Sequence, residues 1–400
     1  EHGFAGATAA YYRGGGGQCA VSAGVDRGFD GTERRTTMGV DTRLLGASTG
    51  KMYTGAVVLD AVLRGELDLD ERLARRFGDQ DWFVRLPNAQ FLTPRLLLWH
   101  TSGMPDAFTN ELWLYAATLA LRNTTAAAAR ARSSRRGDRL PLQNLAFVMD
   151  EPPLFAPGAK YTYSEFGYLL LGVLIEQVAS SSPRVDWGQP GNGTDFYAHS
   201  RFFARAAALI ERLGLDSTEV ELGRRFRALG QHYVGDHFGP PATVIRRALD
   251  TATAELRFSP VAEYTGGGYV TSALDLAKYT TAMYGGRGLP HDGYLQLAKL
   301  TPPRVTSDAS GCVRGTLSAA SQVNHTCLAE RALPPSSPLA PLYRRLGVAY
   351  GHSGLTVGAV STVLYIERLD TSVALMINGD RWQKFLKPTF MALLDAATRS

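Results

Sequence analysis

The hexapeptide Gly46-Ala47-Ser48-Thr49-Gly50-Lys51 fits parts of three catalytic motifs, and the choice between them decides the fold. As a phosphate-cradling loop it needs a glycine five residues before Gly50 and a hydroxyl residue after Lys51. Those positions hold Leu45 and Met52, so the turn lacks both its close approach to phosphate and a magnesium ligand. As a nucleophile elbow, G-x-S-x-G, it needs a buried parallel strand before the serine. The preceding "TTMGVDTRLL" (36–45) is too polar for one, and only 47 residues come before Ser48. The third reading is S-x-x-K at the start of a helix. Residues three apart share a helix face, so a lysine amine comes within reach of the serine hydroxyl beside the positive helix N-terminus. The following "MYTGAVVLDAVLRG" (52–65) supports that reading. It places Val57, Val58, Ala61 and Val62 at helical spacing and stops at Gly65.

The flanking sequence sets the frame for that helix. "FAGATAAYYRGGGGQCAVSAGVDRG" (4–28) reads as a hairpin closed by a glycine run. "AVSTVLYIERLDTSVALMI" (359–377) reads as a second hairpin, turning at "ERLD" and followed by a helix, "KFLKPTFMALLDAAT", interrupted by Pro388. Between the two ends lie mainly helical segments, among them "LLLGVLIEQVA", "FYAHSRFFARAAALIERLG" and "LDLAKYTTAMYG". These patterns predict an α+β fold with one antiparallel sheet built from both chain ends, flanked by helices, and a mainly helical lobe beside it. The expected organisation is one domain over 1–400, with an α/β lobe at about 1–50 and 340–400 and a helical lobe with insertions at about 51–339. No repeat period is visible.

Composition narrows the function. With 45% hydrophobic and 20% charged residues, the chain has enough apolar sequence for a sizeable core. The net charge of +5 owes much to one basic segment, "AAAARARSSRRGDR" (126–139), read as a solvated face; nucleic-acid binding is not expected. The longest apolar run, "YLLLGVLIEQVA" (168–179), is broken by Glu176 and falls short of the ~18 residues a membrane span needs. Cys312 and Cys327 are spaced to staple a loop in an oxidising compartment, leaving Cys19 unpaired. Sequons stand at Asn123, Asn192 and Asn324. With the absent initiator Met, these features point to a secreted or extracytoplasmic protein, with the mitochondrial intermembrane space as the alternative. No His/Cys/Asp cluster has metal-ligand spacing, and neither metal nor cofactor is expected.

If Ser48 and Lys51 act together, acyl transfer still needs a proton shuttle and an oxyanion-stabilising strand. "PGAKYTYSEFGYLLLG" places Tyr163 and Ser164 before a helix, and "YGHSGLTVGAVST" places His352-Ser353-Gly354 at the start of a strand. In this order, Ser48-x-x-Lys51, Tyr163-Ser164-x and His352-Ser353-Gly354, the chain resembles the beta-lactamase-related serine hydrolases. That family includes class C beta-lactamases, DD-peptidases, esterases and D-amino-acid peptidases. "GELDLDERL", "LTPRLLLWHTSGMPD", "LGLDSTE" and "YTGGGYVTSALDLAKYTTAMYGG" carry the likeness across roughly 47–378. "YSEFGY" and the His-Ser-Gly block are similar to those of the mitochondrial serine beta-lactamase-like protein and its bacterial relatives.

The resemblance implies a beta-lactamase/transpeptidase-like fold and an acyl-enzyme mechanism on a small-molecule or peptide substrate. Ser48 is the implied nucleophile, Lys51, held near-neutral by burial and by Tyr163, its base, and Tyr163 the acid that protonates the leaving group. The backbone N–H groups of Ser48 and Leu355 are the implied oxyanion hole, and Gly354 leaves room for a substrate strand. Two positions depart from the usual family pattern: Glu165 replaces the asparagine of Y-x-N, and His352 replaces a lysine. Without that fixed charge, the carboxylate of penicillins and peptidyl-D-alanine is bound less well, and anion binding is expected to strengthen below pH ~6.5 as His352 protonates. Esterase or peptidase activity is therefore expected ahead of efficient beta-lactamase activity. Glu165 and Asp106 are carboxylates expected to face the cleft, and His100 in "WHTSG" is read as structural. The alternative from another class is a non-catalytic scaffold or filament-forming protein on the same fold.

Overall fold

The structure is a computed structural model. It describes residues 5–28, 31, 34–113, 140–179, 196, 199–220, 229–234, 246–247, 256, 263–291, 294–298, 315–317, 320–323, 342, 345–347, 349–379 and 382–399. The basic segment 126–139, the three sequons, Cys312 and Cys327 lie outside the described residues. Cys19 is a free, exposed thiol.

Strands β1 (Gly6–Arg13) and β2 (Gln18–Arg27) form the N-terminal hairpin, followed by the short β3 (Thr36–Thr37) and β4 (Leu44–Leu45). Two-residue strands β5 (Glu219–Val220), β6 (Tyr233–Val234) and β7 (Arg246–Arg247) precede β8 (Tyr269–Thr271). The C-terminal strands are β9 (Gly315–Leu317), β10 (Ala320–Val323), β11 (Ala349–Thr356), β12 (Ala359–Ile366) and β13 (Thr371–Ile377). Among the described residues, eight of them make one antiparallel sheet in the order β3-β2-β1-β13-β12-β11-β10-β9. β1 is an inner strand, paired with β2 on one side and with β13 on the other, Ala7 opposite Ile377 and Arg13 opposite Thr371. The expected sheet from both chain ends is thus present.

Five longer helices surround it: α1 (Lys51–Leu63), α2 (Glu165–Val178), α3 (Arg201–Arg212), α4 (Ala273–Tyr284) and α5 (Trp382–Arg399). α4 packs on β1, β12 and β13, and α5 also packs on β12 and β13. Ala10 belongs to the apolar cluster shared with α4, and its neighbour Ala9 to the cluster shared with α5, so the two helices cover opposite faces. That explains why β12 and β13 are buried at every position and read as continuous apolar runs. The boundary of the sheet lobe differs from expectation, because β9, β10 and α4 come from the segment assigned to the helical lobe. α5 also runs through Pro388, which is exposed, without ending there.

Glu176, the charge that breaks the apolar run, has a structural task. Its buried carboxylate accepts from Ser200 Oγ, from the backbone N–H groups of Arg201 (3.0 Å) and Phe202 (3.1 Å), and from the Tyr264 hydroxyl (3.0 Å). It therefore satisfies the otherwise unpaired amides at the start of α3 and favours that helix end electrostatically. No helix among the described residues is long and apolar enough to cross a membrane.

Candidate active site

Ser48 lies on a single 3-10 turn, Ala47–Gly50, that runs directly into α1. Ala47 holds a left-handed φ of 51°, which costs a non-glycine residue on the order of 1 kcal/mol. Surrounding contacts keep the turn in that shape. The Gly46 carbonyl accepts from Thr49 Oγ1 (2.7 Å) and from Ser361 Oγ of β12 (2.5 Å), while the Gly46 N–H donates to the Tyr269 carbonyl of β8 (2.7 Å). Both neighbouring sheets thus grip the residue two before the nucleophile candidate. The strain and the G-x-S-x-G spelling resemble an elbow, but the element before the turn is the two-residue β4, and the partners are those of an S-x-x-K site.

Lys51 lies one turn on, fully buried. Its Nζ donates to Ser48 Oγ (3.4 Å), to Glu165 Oε2 (2.5 Å) and to the Gly266 carbonyl (2.7 Å). Three acceptors match the three donors of an ammonium, and one of the acceptors is an equally buried carboxylate. The geometry is that of an ion pair, where the sequence led to the expectation of an amine held near-neutral by burial and by Tyr163. The Tyr163 and Tyr168 rings lie 4.8 and 5.3 Å from Nζ and add cation–π attraction.

Tyr163 donates its hydroxyl proton to Ser48 Oγ at 2.8 Å. Burial first, and the Glu165 carboxylate second, push its phenol well above the ordinary range, so it rests as the neutral acid. Its position is set by the residues after it. Ser164 caps α2, accepting from the Gly167 N–H (3.1 Å) and donating to the Pro105 carbonyl (2.8 Å). The Ser164 N–H donates to His100 Nδ1 (3.1 Å), and the His100 ring lies 4.4 Å from that of Tyr163. His100 is thus a structural prop for Tyr163, as read from "WHTSG". Burial, then Lys51, then His352 hold its imidazole well below the usual range.

Of the two carboxylates expected to face the cleft, Glu165 is fully buried beneath Ser48 and bonded to Lys51, so it does not line an open cleft. Asp106 is partly buried, and its Oδ1 accepts the Glu165 N–H at 2.8 Å, fixing the first residue of α2; burial raises its pKa to about 6. A third carboxylate, Glu263, was missed from sequence. It is partly buried, accepts from Thr356 Oγ1 of β11, and desolvation followed by repulsion from Glu165 raises its pKa to about 7. A Cβ on Gly266 would lie 1.3 Å from Glu165 Oε1, so only glycine lets that backbone reach both the carboxylate and Lys51.

β11 passes beside the turn. A Cβ on Gly354 would lie 2.6 Å from the Gly46 carbonyl oxygen and 2.8 Å from Ser48 N. The glycine therefore serves the approach of β11 to the nucleophile turn, a different use from the substrate clearance expected. The His-Ser-Gly block sits mid-strand, three residues in. Ser353, exposed, exchanges a hydrogen bond with Thr362 Oγ1 (2.9 Å), and the Leu355 side chain packs into the apolar clusters behind the strand. Among the described residues, β10 pairs with β11 only at Ala349 and Tyr350, so the edge beside Ser48 carries no strand. His352 is buried, and desolvation followed by the Lys51 charge lowers its pKa to about 3. This overturns the expected gain of positive charge just below pH ~6.5, because the ring stays neutral until the pH approaches about 3.

A hydroxyl flanked by a buried lysine and a neutral tyrosine, on a turn between a helix and a sheet edge, is an arrangement compatible with a serine hydrolase. The sequence profile of the family described as Beta-lactamase matches residues 1–398, and the chain belongs to that family. Among solved structures, it is similar to a D-stereospecific amidohydrolase from Streptomyces sp. (20% identity, TM-score 0.67, covering 97% of this chain and 94% of that one). It is similar to a D-amino acid amidase from Ochrobactrum anthropi SV3 complexed with L-phenylalanine (18%, 0.68, 100% and 96%). The same holds for a penicillin binding protein from Bacillus halodurans (17%, 0.64, 96% and 95%). No curated protein sequence matches the chain significantly.

Proposed function

We propose that this serine hydrolase cleaves small amides or peptides through an acyl-enzyme on Ser48, with esters as poorer-defined substrates and beta-lactams as inefficient ones. The observation that carries the reading is the convergence of Tyr163 OH (2.8 Å) and Lys51 Nζ (3.4 Å) on one serine oxygen. The amidohydrolase and amidase among the similar folds support the amide class.

Because Lys51 rests as an ammonium, it must shed a proton before it can accept one. Glu165 Oε2, 2.5 Å away, takes that proton, leaving a neutral amine and a neutral acid. The amine then removes the Ser48 proton as Oγ bonds to the substrate carbonyl carbon. The oxyanion so formed faces the backbone N–H groups of Ser48 and Leu355. Tyr163 gives its proton to the leaving nitrogen as the C–N bond breaks, and Lys51 restores the proton to Tyr163. Water completes the cycle by the reverse proton route, releasing the acid and free Ser48.

The test is intact-mass spectrometry after exposure to a fluorophosphonate, with Ser48→Ala, Lys51→Ala and Tyr163→Phe beside wild type. One adduct is expected on wild type and none on Ser48→Ala, with at least about a 100-fold slower reaction in Lys51→Ala. A folded wild-type protein that forms no adduct overturns the reading, and a Lys51→Ala variant at wild-type rate overturns the proton route.

A further inference from the structure

We propose that His352 selects substrates whose leaving group carries a neutral hydrogen-bond donor, such as a carboxamide, and rejects those with a carboxylate there. The inference rests on the hydrolase reading above and adds the substrate class.

The argument begins with the tautomer. His352 Nδ1 lies 2.5 Å from the Ser353 carbonyl oxygen, which can only accept, so the ring proton is on Nδ1. The ring is neutral, because burial and the nearby Lys51 ammonium disfavour a second proton. Nε2 is therefore a bare lone pair. It is buried and has no hydrogen-bond partner among the described residues. A buried acceptor in that state is costly unless something donates to it.

Its place identifies the donor. His352 is two residues before Gly354, whose backbone abuts Ser48 N, and its ring centre is 6.4 Å from that of Tyr163. Tyr163 is the residue that protonates the leaving group, so Nε2 sits on the leaving-group side of the scissile bond. The titratable groups around it are Lys51, Tyr163 and His100. His100 accepts the Ser164 N–H on Nδ1, so its own neutral ring carries the proton on Nε2, a donor of the right sense. That Nε2 is also buried and unpartnered, so the two histidines do not satisfy one another. Among the described residues none donates to it, and the substrate is assigned that donor. A carboxamide N–H₂ or a hydroxyl supplies it, whereas a carboxylate opposes lone pairs to a lone pair and is excluded by repulsion as well as by the missing bond.

The test uses two thioesters with the same N-benzoyl-D-alanyl acyl group, one releasing thioglycolamide and the other thioglycolate, with the freed thiol measured by a colorimetric reagent. Wild-type protein is expected to favour the thioglycolamide ester by about tenfold or more in kcat/KM, the discrimination typical of a site with a dedicated polar partner. His352→Lys is expected to reverse the preference, and His352→Phe to bring the two rates within a few-fold of each other. Should either variant fail to fold, the wild-type pair alone decides. Equal rates, or faster release of thioglycolate, with a fluorophosphonate adduct still forming on Ser48, overturn the His352 assignment and leave the hydrolase reading standing. Turnover of neither ester together with no adduct overturns both.

Discussion

Lys51 and Glu165 form an ion pair with neither side chain exposed, Nζ 2.5 Å from Oε2, directly beside the Ser48 hydroxyl. A pair this deep recovers the cost of desolvating two charges only through tight geometry and extra hydrogen bonds, and removing one member strands the other. Lys51 has the extra bonds, through Gly266 and Ser48; Glu165 Oε1 has no partner among the described residues. The carboxylate is thus held mainly by the lysine it serves.

Glu165→Gln keeps the shape and removes the proton acceptor. The expected result is a fall in kcat of about 100-fold or more with a small change in KM, in protein whose circular dichroism is unchanged. Glu165→Ala, which leaves the Lys51 charge buried alone, is expected to lose about 3 kcal/mol or more of stability in urea unfolding. A Glu165→Gln variant with wild-type kcat would remove the carboxylate from the proton route.

Gly354→Ala introduces a methyl group within 3 Å of two backbone atoms, neither at the end of a movable side chain. β11 must back away from the turn that holds Ser48. Acylation by fluorophosphonate is expected to slow by at least tenfold, while the thermal midpoint falls by only a few degrees, because β11 keeps its full pairing with β12. Equal acylation rates would show that the strand does not set the serine.

Glu263 yields a pH signature. Its carboxyl is raised to about 7 in the folded protein, against 4.5 ordinarily, chiefly by desolvation. Between those values the folded state holds a proton that the unfolded state has released, so this residue's contribution to stability declines as pH rises from about 4.5 to about 7. At about 1.4 kcal/mol per pH unit, the whole effect is on the order of 3 kcal/mol. His352 and His232, both lowered to about 3 by burial, pull the other way, costing stability as pH falls below about 6.5. Glu263→Gln isolates the first effect. It is expected to match wild type in urea stability at pH 5 and exceed it at pH 8, whereas a constant offset at both would place the cause elsewhere.

The sheet was legible because its evidence is local. The glycine-closed hairpin at the N-terminus and the β-branched runs about "ERLD" each specify two strands, and with both ends supplying strands a shared sheet follows. Ser48, Lys51 and Tyr163 were legible by motif and order, and the structure brings all three together. What was not legible depends on burial created by distant segments. Glu165 was read as facing the cleft because a sequence does not show that Gly266, about a hundred residues later, closes over its carboxylate. His352 was read as a partial cation because its neutrality comes from the Lys51 charge and from desolvation, both supplied by the fold. Glu263 escaped notice for the same reason: a lone glutamate before a glycine run carries no motif, and its meaning appears only when Thr356 of β11 comes to meet it.

The pairing of β1 with β13 joins residues 358 to 370 positions apart, and Ser361 ties down the Gly46 carbonyl across a span of 315. During synthesis, a nascent chain emerging from the ribosome displays Ser48, Lys51 and Tyr163 long before β11 to β13 exist. Contacts this remote in sequence form late and slowly. The nucleophile turn then lacks its clamp and its neighbouring strand, so a half-made chain holds every reactive group yet no working centre. On the mechanism proposed above, the centre is complete only once the last hairpin has paired.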